Sequence, residues 1–225
     1  MAIRGDEGAA GINSDDFSTG TLLADWTEKA EGTASYALVG NETIDFTLPG
    51  TEDFDWWAAT TSFYGITQTL STDESFEIEA GFTTWGTEHI QFAGVGMYDS
   101  VYTQGGCRTL FSFEGGNTRA YLSYDGTEIA NDIVSDPTTG FRLRLGYTKG
   151  ATQAQNVAYA EYSIDGAAWT TSWASGTWDV TPDTVCICLG RVSTAATFVA
   201  KADYFWETSA PITGGPPPRR VMVFT

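Results

Sequence analysis

The chain has 225 residues, of which 42% are hydrophobic and 14% aromatic, enough for one sizeable core and too apolar for a disordered chain. Its 29 acidic and 11 basic residues give a net charge of -18 at pH 7. Nucleic acid and anionic membranes are therefore poor partners, because two polyanions repel each other. The start MAIRGDEGAAG has no apolar signal-peptide segment and no stretch has the length of a membrane span, so we expect neither a classical signal nor membrane insertion.

Composition divides the chain into three parts. Residues 1–14 are small, polar and glycine-rich and predict an N-terminal arm. Residues 15–208 carry regular apolar patterns and predict one folded domain. Residues 209–225 contain PITGGPPPRRVMVFT and predict a Gly/Pro-rich C-terminal docking arm.

Alternation of apolar and polar residues runs through the body and predicts strands that are buried on one side. In ESFEIEAGF, residues Phe76, Ile78 and Phe82 take one face, and Glu77 and Glu79 take the other. The same alternation in FRLRLGY turns four residues inward: Phe141, Leu143, Leu145 and Tyr147. Further predicted strands are, in chain order, SYALV, ETIDFTL, FYGITQTL, EHIQFAGVGMY, RTLFSFE, TRAYLSY, VAYAEYSI, TVCICLG and TFVAKADYFW.

Short turns such as EGGN, YDGT, SDPTTG and IDGAA separate these strands, and no segment shows a helical stripe. A single open sheet of this many strands would curl or split. The sequence therefore predicts an all-β fold, a two-sheet antiparallel jelly-roll sandwich with extended N- and C-terminal arms.

The three cysteines, Cys107, Cys186 and Cys188, exclude a complete disulfide framework because their number is odd. Cys186 and Cys188 stand two apart on a predicted strand, hence on one face, where they are badly placed to bridge each other. His89 is the only histidine, so no zinc site is indicated. We expect buried, reduced thiols.

Four segments together resemble the concanavalin A-like lectin/glucanase superfamily: DDFSTGTLLADW, ESFEIEAGF, YSIDGAAW and AKADYFW, in that order. The resemblance spans about residues 15–208. It implies a two-sheet jelly roll with one concave face, on which lectins and laminarinase-like enzymes of the superfamily place their carbohydrate.

Glucanases of this superfamily carry an E-x-D-x-E strand on the concave face, and ESFEIE is the nearest segment here. Residues two apart on a strand lie roughly 6.5–7 Å apart, so the carboxyl groups of Glu77 and Glu79 could approach the separation of a retaining pair. The middle acid is replaced by Ile78, which faces the other way. We therefore expect a solvated outer strand face and no catalytic residues.

Aromatic residues at strand ends are candidate sugar-stacking surfaces, and the candidate carbohydrate-binding residues are Trp57, Trp85 and Trp173. The resemblance also implies a candidate structural calcium ion where the terminal strands meet. Its candidate ligands are Asp15, Asp16 and Asp203, because hard oxygen ligands suit calcium. No other cofactor is indicated.

The C-terminal arm combines a Gly-Gly pivot, a stiff triple proline, two arginines and an apolar run. Such a run can add as a strand to the sheet edge of a neighbouring subunit, with the arginines pairing to its acids. The predicted docking residues are Arg219, Arg220, Val221, Met222, Val223 and Phe224.

These features predict a non-enzymatic surface component of an extracellular assembly: a bacteriophage virion or capsid-decorating protein with a lectin-like module. Its expected location is the virion surface, and its expected partners are neighbouring subunits in an oligomer or particle and a cell-surface glycan. The alternative is a stand-alone carbohydrate-binding module or a glycoside hydrolase of the glucanase type.

Overall fold

The computed structural model describes residues 8–29, 32–40, 42–50, 63–84, 91–101, 106–114, 117–124, 127–177, 179–191 and 197–208. In these ranges the chain forms two short 3-10 helices, Ala9–Gly11 and Gln153–Gln155, and fourteen strands. In chain order the strands are β1 (Thr27–Lys29), β2 (Ser35–Val39), β3 (Thr43–Leu48), β4 (Tyr64–Thr69), β5 (Phe76–Thr84), β6 (Gln91–Tyr98), β7 (Gly106–Glu114), β8 (Asn117–Tyr124), β9 (Thr127–Val134), β10 (Phe141–Thr148), β11 (Val157–Ile164), β12 (Thr170–Thr177), β13 (Thr184–Arg191) and β14 (Phe198–Glu207). No helix among these elements is long and apolar enough to cross a membrane.

The strands form two antiparallel sheets of seven. The first sheet has the order β1-β4-β13-β6-β7-β8-β9, and the second has the order β12-β11-β10-β5-β14-β3-β2. The predicted all-β, two-sheet antiparallel sandwich is therefore confirmed.

The core between the sheets follows from the alternation in β5 and β10. Phe141 pairs with Phe82 and Leu145 pairs with Ile78 across the two strands, and all four side chains are buried. The rings of Phe82 and Phe141 stack with centroids 4.9 Å apart. The predicted inward faces of both strands are confirmed, and the intervening glutamates and arginines point away from the core.

The sequence pattern did not predict three of the strands, β1, β9 and β12. Each lies at an edge of its sheet. Their sequences, TEK, TEIANDIV and TTSWASGT, are short or rich in small and polar residues. An edge strand needs less apolar surface than a central one, so its alternation is weaker.

The described part of the predicted N-terminal arm, residues 8–14, packs on the sandwich instead of extending from it. Ile12 is fully buried in the core. The backbone N–H of Asn13 donates to Gln68 at 2.8 Å, and that of Ser71 donates to the Ala10 carbonyl at 2.8 Å. The glycine-rich composition gave no indication that Ala10 and Ile12 are both buried in the core. The predicted C-terminal docking residues Arg219–Phe224 lie outside the described residues, and their docking stays a prediction.

Cys186 and Cys188 are buried, reduced thiols, as predicted. They lie on the side of β13 away from the main core, in a second apolar cluster with four aromatic residues: Phe63, Phe92, Tyr98 and Tyr121. The thiol of Cys188 donates to the Gly94 carbonyl at 3.2 Å.

The inward face of β5 can be tested with Ile78→Asp. An unpaired carboxylate in the core costs several kcal/mol, a large share of the roughly 5–15 kcal/mol that stabilises a domain. We expect the variant to lose its cooperative urea-unfolding transition by circular dichroism, whereas Ile78→Val loses about 0.5–1.5 kcal/mol. Equal midpoints for the two variants would mean that the face is assigned wrongly.

Candidate functional site

The outer face of the second sheet carries a group of charged and aromatic side chains, which we call the glutamate face. Its members come from β5, β10, β11, β14 and the loop that follows β11: Glu77, Glu79, Arg142, Arg144, Tyr159, Glu161, Trp169 and Tyr204. They meet because the strands are neighbours and the register aligns Glu79 with Arg144 and Arg144 with Glu161.

Arg144 lies at the centre of the glutamate face and contacts three carboxylates. Its Nη2 lies 2.9 Å from Glu79, its Nη1 3.2 Å from Glu161 and its Nε 3.4 Å from Glu77. Burial alone would lower the pKa of Arg144, but the hydrogen bond to Glu79 and the charges of the three glutamates outweigh it and raise that pKa. The guanidinium therefore stays charged and ties three strands together.

The expectation of a solvated strand face is wrong at Glu79, whose exposed fraction is 9%. The hydroxyl of Tyr204 donates to Oε1 of Glu79 at 2.5 Å, while Arg144 donates to the other carboxylate oxygen, Oε2. Burial, together with the charge and hydrogen bond of Glu79, raises the pKa of Tyr204 well above its usual value, so this hydroxyl remains a donor. The hydroxyl of Thr208 likewise donates to the carboxylate of Glu77.

Trp169 covers the two arginines. Its ring centroid lies 4.0 Å from the guanidinium carbon of Arg144 and 4.8 Å from that of Arg142, a cation–π arrangement. Arg142 also donates to Ser163 at 2.8 Å and to the Ala167 carbonyl at 3.2 Å. The loop between β11 and β12 is therefore fixed over the sheet.

Asp165 anchors this loop at its other end. Its carboxylate accepts from three backbone N–H groups and two hydroxyls of residues 138–140, at 2.6–3.3 Å. Burial works in the opposite direction, but the hydrogen bonds from Thr138 and Thr139 lower the pKa of Asp165 to about 2. Asp165 has a φ of 49°, a left-handed conformation that aspartate tolerates better than most residues.

Two tyrosine rings lie over glycines of the sheet. A Cβ atom at Gly146 would come within 2.0 Å of the Tyr159 ring, and one at Gly81 within 2.5 Å of the Tyr204 ring. Any side chain at either glycine would displace the ring above it. The glycines therefore allow both rings to lie against the sheet on either side of Arg144.

The predicted tryptophans are placed only in part. Trp57 and Trp85 lie outside the described residues. The backbone of Trp173 belongs to β12 and pairs with Ala160, but its side chain is outside the described part. Their role in carbohydrate binding stays a prediction.

The predicted calcium ligands lie where the terminal segments meet, since Asp15 forms a β-bridge with Phe205, two residues beyond Asp203. The carboxylates of Asp15 and Asp16 accept from the backbone N–H groups of Phe17 and Ser18, respectively. Across the described ranges, no three His, Cys, Asp or Glu side chains group in a way that could hold a metal ion. Calcium binding stays a prediction.

Sequence reasoning missed Trp169, Tyr159 and Tyr204 as members of the site. Tyr159 and Tyr204 are each half-buried residues within a strand, so their sequence pattern resembles that of core residues. The available signal was glycine inside a strand at 81 and 146, which often marks a place where another group lies over the backbone.

The fold defines the class: an all-β protein built as a two-sheet antiparallel β-sandwich. No protein-family model matches the sequence, and no curated protein matches it. Among solved structures, a bifunctional GH43-CE protein of Bacteroides eggerthii has a TM-score of 0.67 at 14% identity, covering 88% of this chain and 26% of that one. A xylan β-1,4-xylosidase of Bacillus halodurans has a TM-score of 0.61 at 13% identity, covering 87% and 38%.

A β-1,3-1,4-glucanase, or lichenase, from a mouse hindgut metagenome has a TM-score of 0.53 at 8% identity, and it covers 86% of this chain and 97% of that one. The chain thus spans about a quarter to two-fifths of the GH43 and xylosidase chains but nearly all of the lichenase. At these identities the likeness establishes the shared fold.

These findings overturn the expectation of a non-enzymatic phage structural component. The solved structures that share its fold include a xylosidase and a lichenase, so the comparisons favour the glycoside hydrolase alternative over a virion or capsid-decorating protein. The expectation is wrong because it uses the missing signal-peptide segment and the unusual termini as signs of an assembly, and neither feature is specific to one.

The anchor of the Trp169 loop can be tested with Asp165→Asn, which keeps the shape but removes the charge. Folding lowers the pKa of Asp165 from 3.8 to about 2. The charged carboxylate therefore stabilises the folded state fully above about pH 4, and this contribution is lost as the pH falls through about 2. Melting temperatures are measured by circular dichroism. We expect that of the variant to lie a few degrees below that of the wild type at pH 6, and the difference to shrink towards pH 2. A difference independent of pH would contradict the charged anchor.

Proposed function

We propose that the chain is a carbohydrate-active β-sandwich of the glycoside hydrolase type and that it binds a polysaccharide on the glutamate face. The observation that carries the proposal is the pair of tyrosine rings, Tyr159 and Tyr204, on either side of the carboxylate and guanidinium groups around Arg144. The resemblance to a xylosidase and a lichenase supports a glycan as the ligand.

The chemistry of the face suits a sugar chain. The C–H surface of a pyranose stacks on a flat aromatic ring, and its hydroxyls donate to carboxylates. Glu77 and Glu161 keep about a fifth of their side chains exposed, so their outer oxygens remain within reach of a ligand. The ion pairs with Arg144 hold these carboxylates in place before binding, which lowers the entropy cost of recognition.

Binding can be tested with xylan and mixed-linkage β-glucan oligosaccharides by isothermal titration calorimetry. Tyr159→Ala should weaken binding about tenfold, because it removes a stacking surface worth roughly 1.4 kcal/mol. Tyr159→Phe keeps the ring and should bind like the wild type. Equal affinity of the alanine variant and the wild type, or no binding by the wild type to any neutral glycan, would contradict the proposal.

Hydrolysis is the second candidate function, and one observation favours it. Glu77 and Glu79 lie two residues apart on the same outer face of β5, and Glu161 lies across the sheet from them. Glycoside hydrolysis requires two carboxyl groups beside the scissile bond, one to protonate the leaving oxygen and one to act as nucleophile or base.

The hydrolytic role predicts release of reducing ends from xylan or mixed-linkage glucan. Glu77→Gln should lower the rate at least about a hundredfold, the usual contribution of a positioned acid or base, without changing the melting temperature by more than a few degrees. Asp179→Asn, on an exposed segment, is the matched control and should keep the wild-type rate. Absence of any release by the wild type would remove this candidate and leave glycan binding standing.

A further inference from the structure

The charges of the glutamate face indicate which glycans it accepts. Three carboxylates, Glu77, Glu79 and Glu161, and two cations, Arg142 and Arg144, form its ion pairs. Beside it on β3 and β14 of the same sheet, Asp45 and Lys201 form one more. The local balance is therefore negative, on a chain whose net charge is already -18.

Each of these three cations already has a carboxylate partner. Arg144 contacts three glutamates, Arg142 lies 3.9 Å from Glu79, and Lys201 lies 2.7 Å from Asp45. The flat sides of both guanidinium groups are also approached by the ring of Trp169. A ligand carboxylate or sulfate at the centre of the face would have to compete with the three glutamates for Arg144, whose side chain is only 21% exposed.

A neutral glycan does not need to reach a positive charge, so it does not compete with the glutamates. Its hydroxyls can donate to the free oxygen lone pairs of the carboxylates, and its ring faces can stack on Tyr159, without breaking an ion pair. An acidic glycan places like charges beside Glu77 and Glu161, which are only partly screened because they are half-buried.

On these grounds, and resting on the glycan-binding function proposed above, we propose that the glutamate face selects uncharged polysaccharides and rejects uronate-rich or sulfated ones. Glu161 contributes to this selection, because about a fifth of its side chain is exposed while its carboxylate is held by Arg144 and the Thr171 hydroxyl.

The experiment compares xylan and mixed-linkage β-glucan, each unmodified and lightly sulfated, by affinity electrophoresis with the full chain. We expect the unmodified polymer to bind at least about tenfold more tightly than its sulfated form. Glu161→Gln keeps an oxygen acceptor for Arg144. It should lower the ratio of the affinity for the unmodified polymer to that for the sulfated polymer severalfold. Asp179→Asn removes one negative charge from an exposed segment elsewhere and should leave the ratio unchanged.

The outcomes separate this inference from the function on which it rests. Sulfated polymer binding as tightly as the unmodified one would overturn the selection while supporting glycan binding. An equal effect of Glu161→Gln and Asp179→Asn would assign the discrimination to the net charge of the whole chain and overturn the role of the face. Failure of every polymer to bind would overturn the proposed function itself.

Discussion

The outer side of the second sheet depends on one guanidinium group. Glu77 and Glu79 point the same way from a single strand, and Glu161 faces them from two strands away. Without a central positive charge these carboxylates would repel each other in a half-buried setting. Arg144 joins all three, and Trp169 shields it from water, so strands β5, β10 and β11 carry a fixed polar layer above their apolar one.

Residues outside this polar layer hold its side chains in place. Gly81 and Gly146 leave space for the tyrosine rings, and Asp165 fixes the loop that holds Trp169. None of these three residues provides the stacking or ionic contacts of the face. A xylosidase and a lichenase share this fold, but a fold alone does not determine a ligand, which depends on the side chains that it presents.

Most of the fold could be read from the sequence, because burial on one side leaves a period of two in strands such as β5 and β10. Edge strands such as β9 and β12 could not, since their polar and small residues carry little of that period. The outward direction of Glu79 was predictable, but its partners were not, because Arg144 lies 65 residues away in the chain and only the strand register brings the two together. Trp169 follows a turn, where no periodicity indicates which way a side chain points.

The two ends of the described domain lie together. Asp15 bridges to Phe205, the N–H of Ala9 donates to Glu207 at 3.4 Å, and the N–H of Thr208 donates to the Glu77 carbonyl at 2.8 Å. A module joined before residue 8 or after residue 208 would therefore start from the border of the glutamate face. A short linker would suffice to hold that module at a high effective concentration over any polysaccharide bound there, so the two could engage one polymer chain at once.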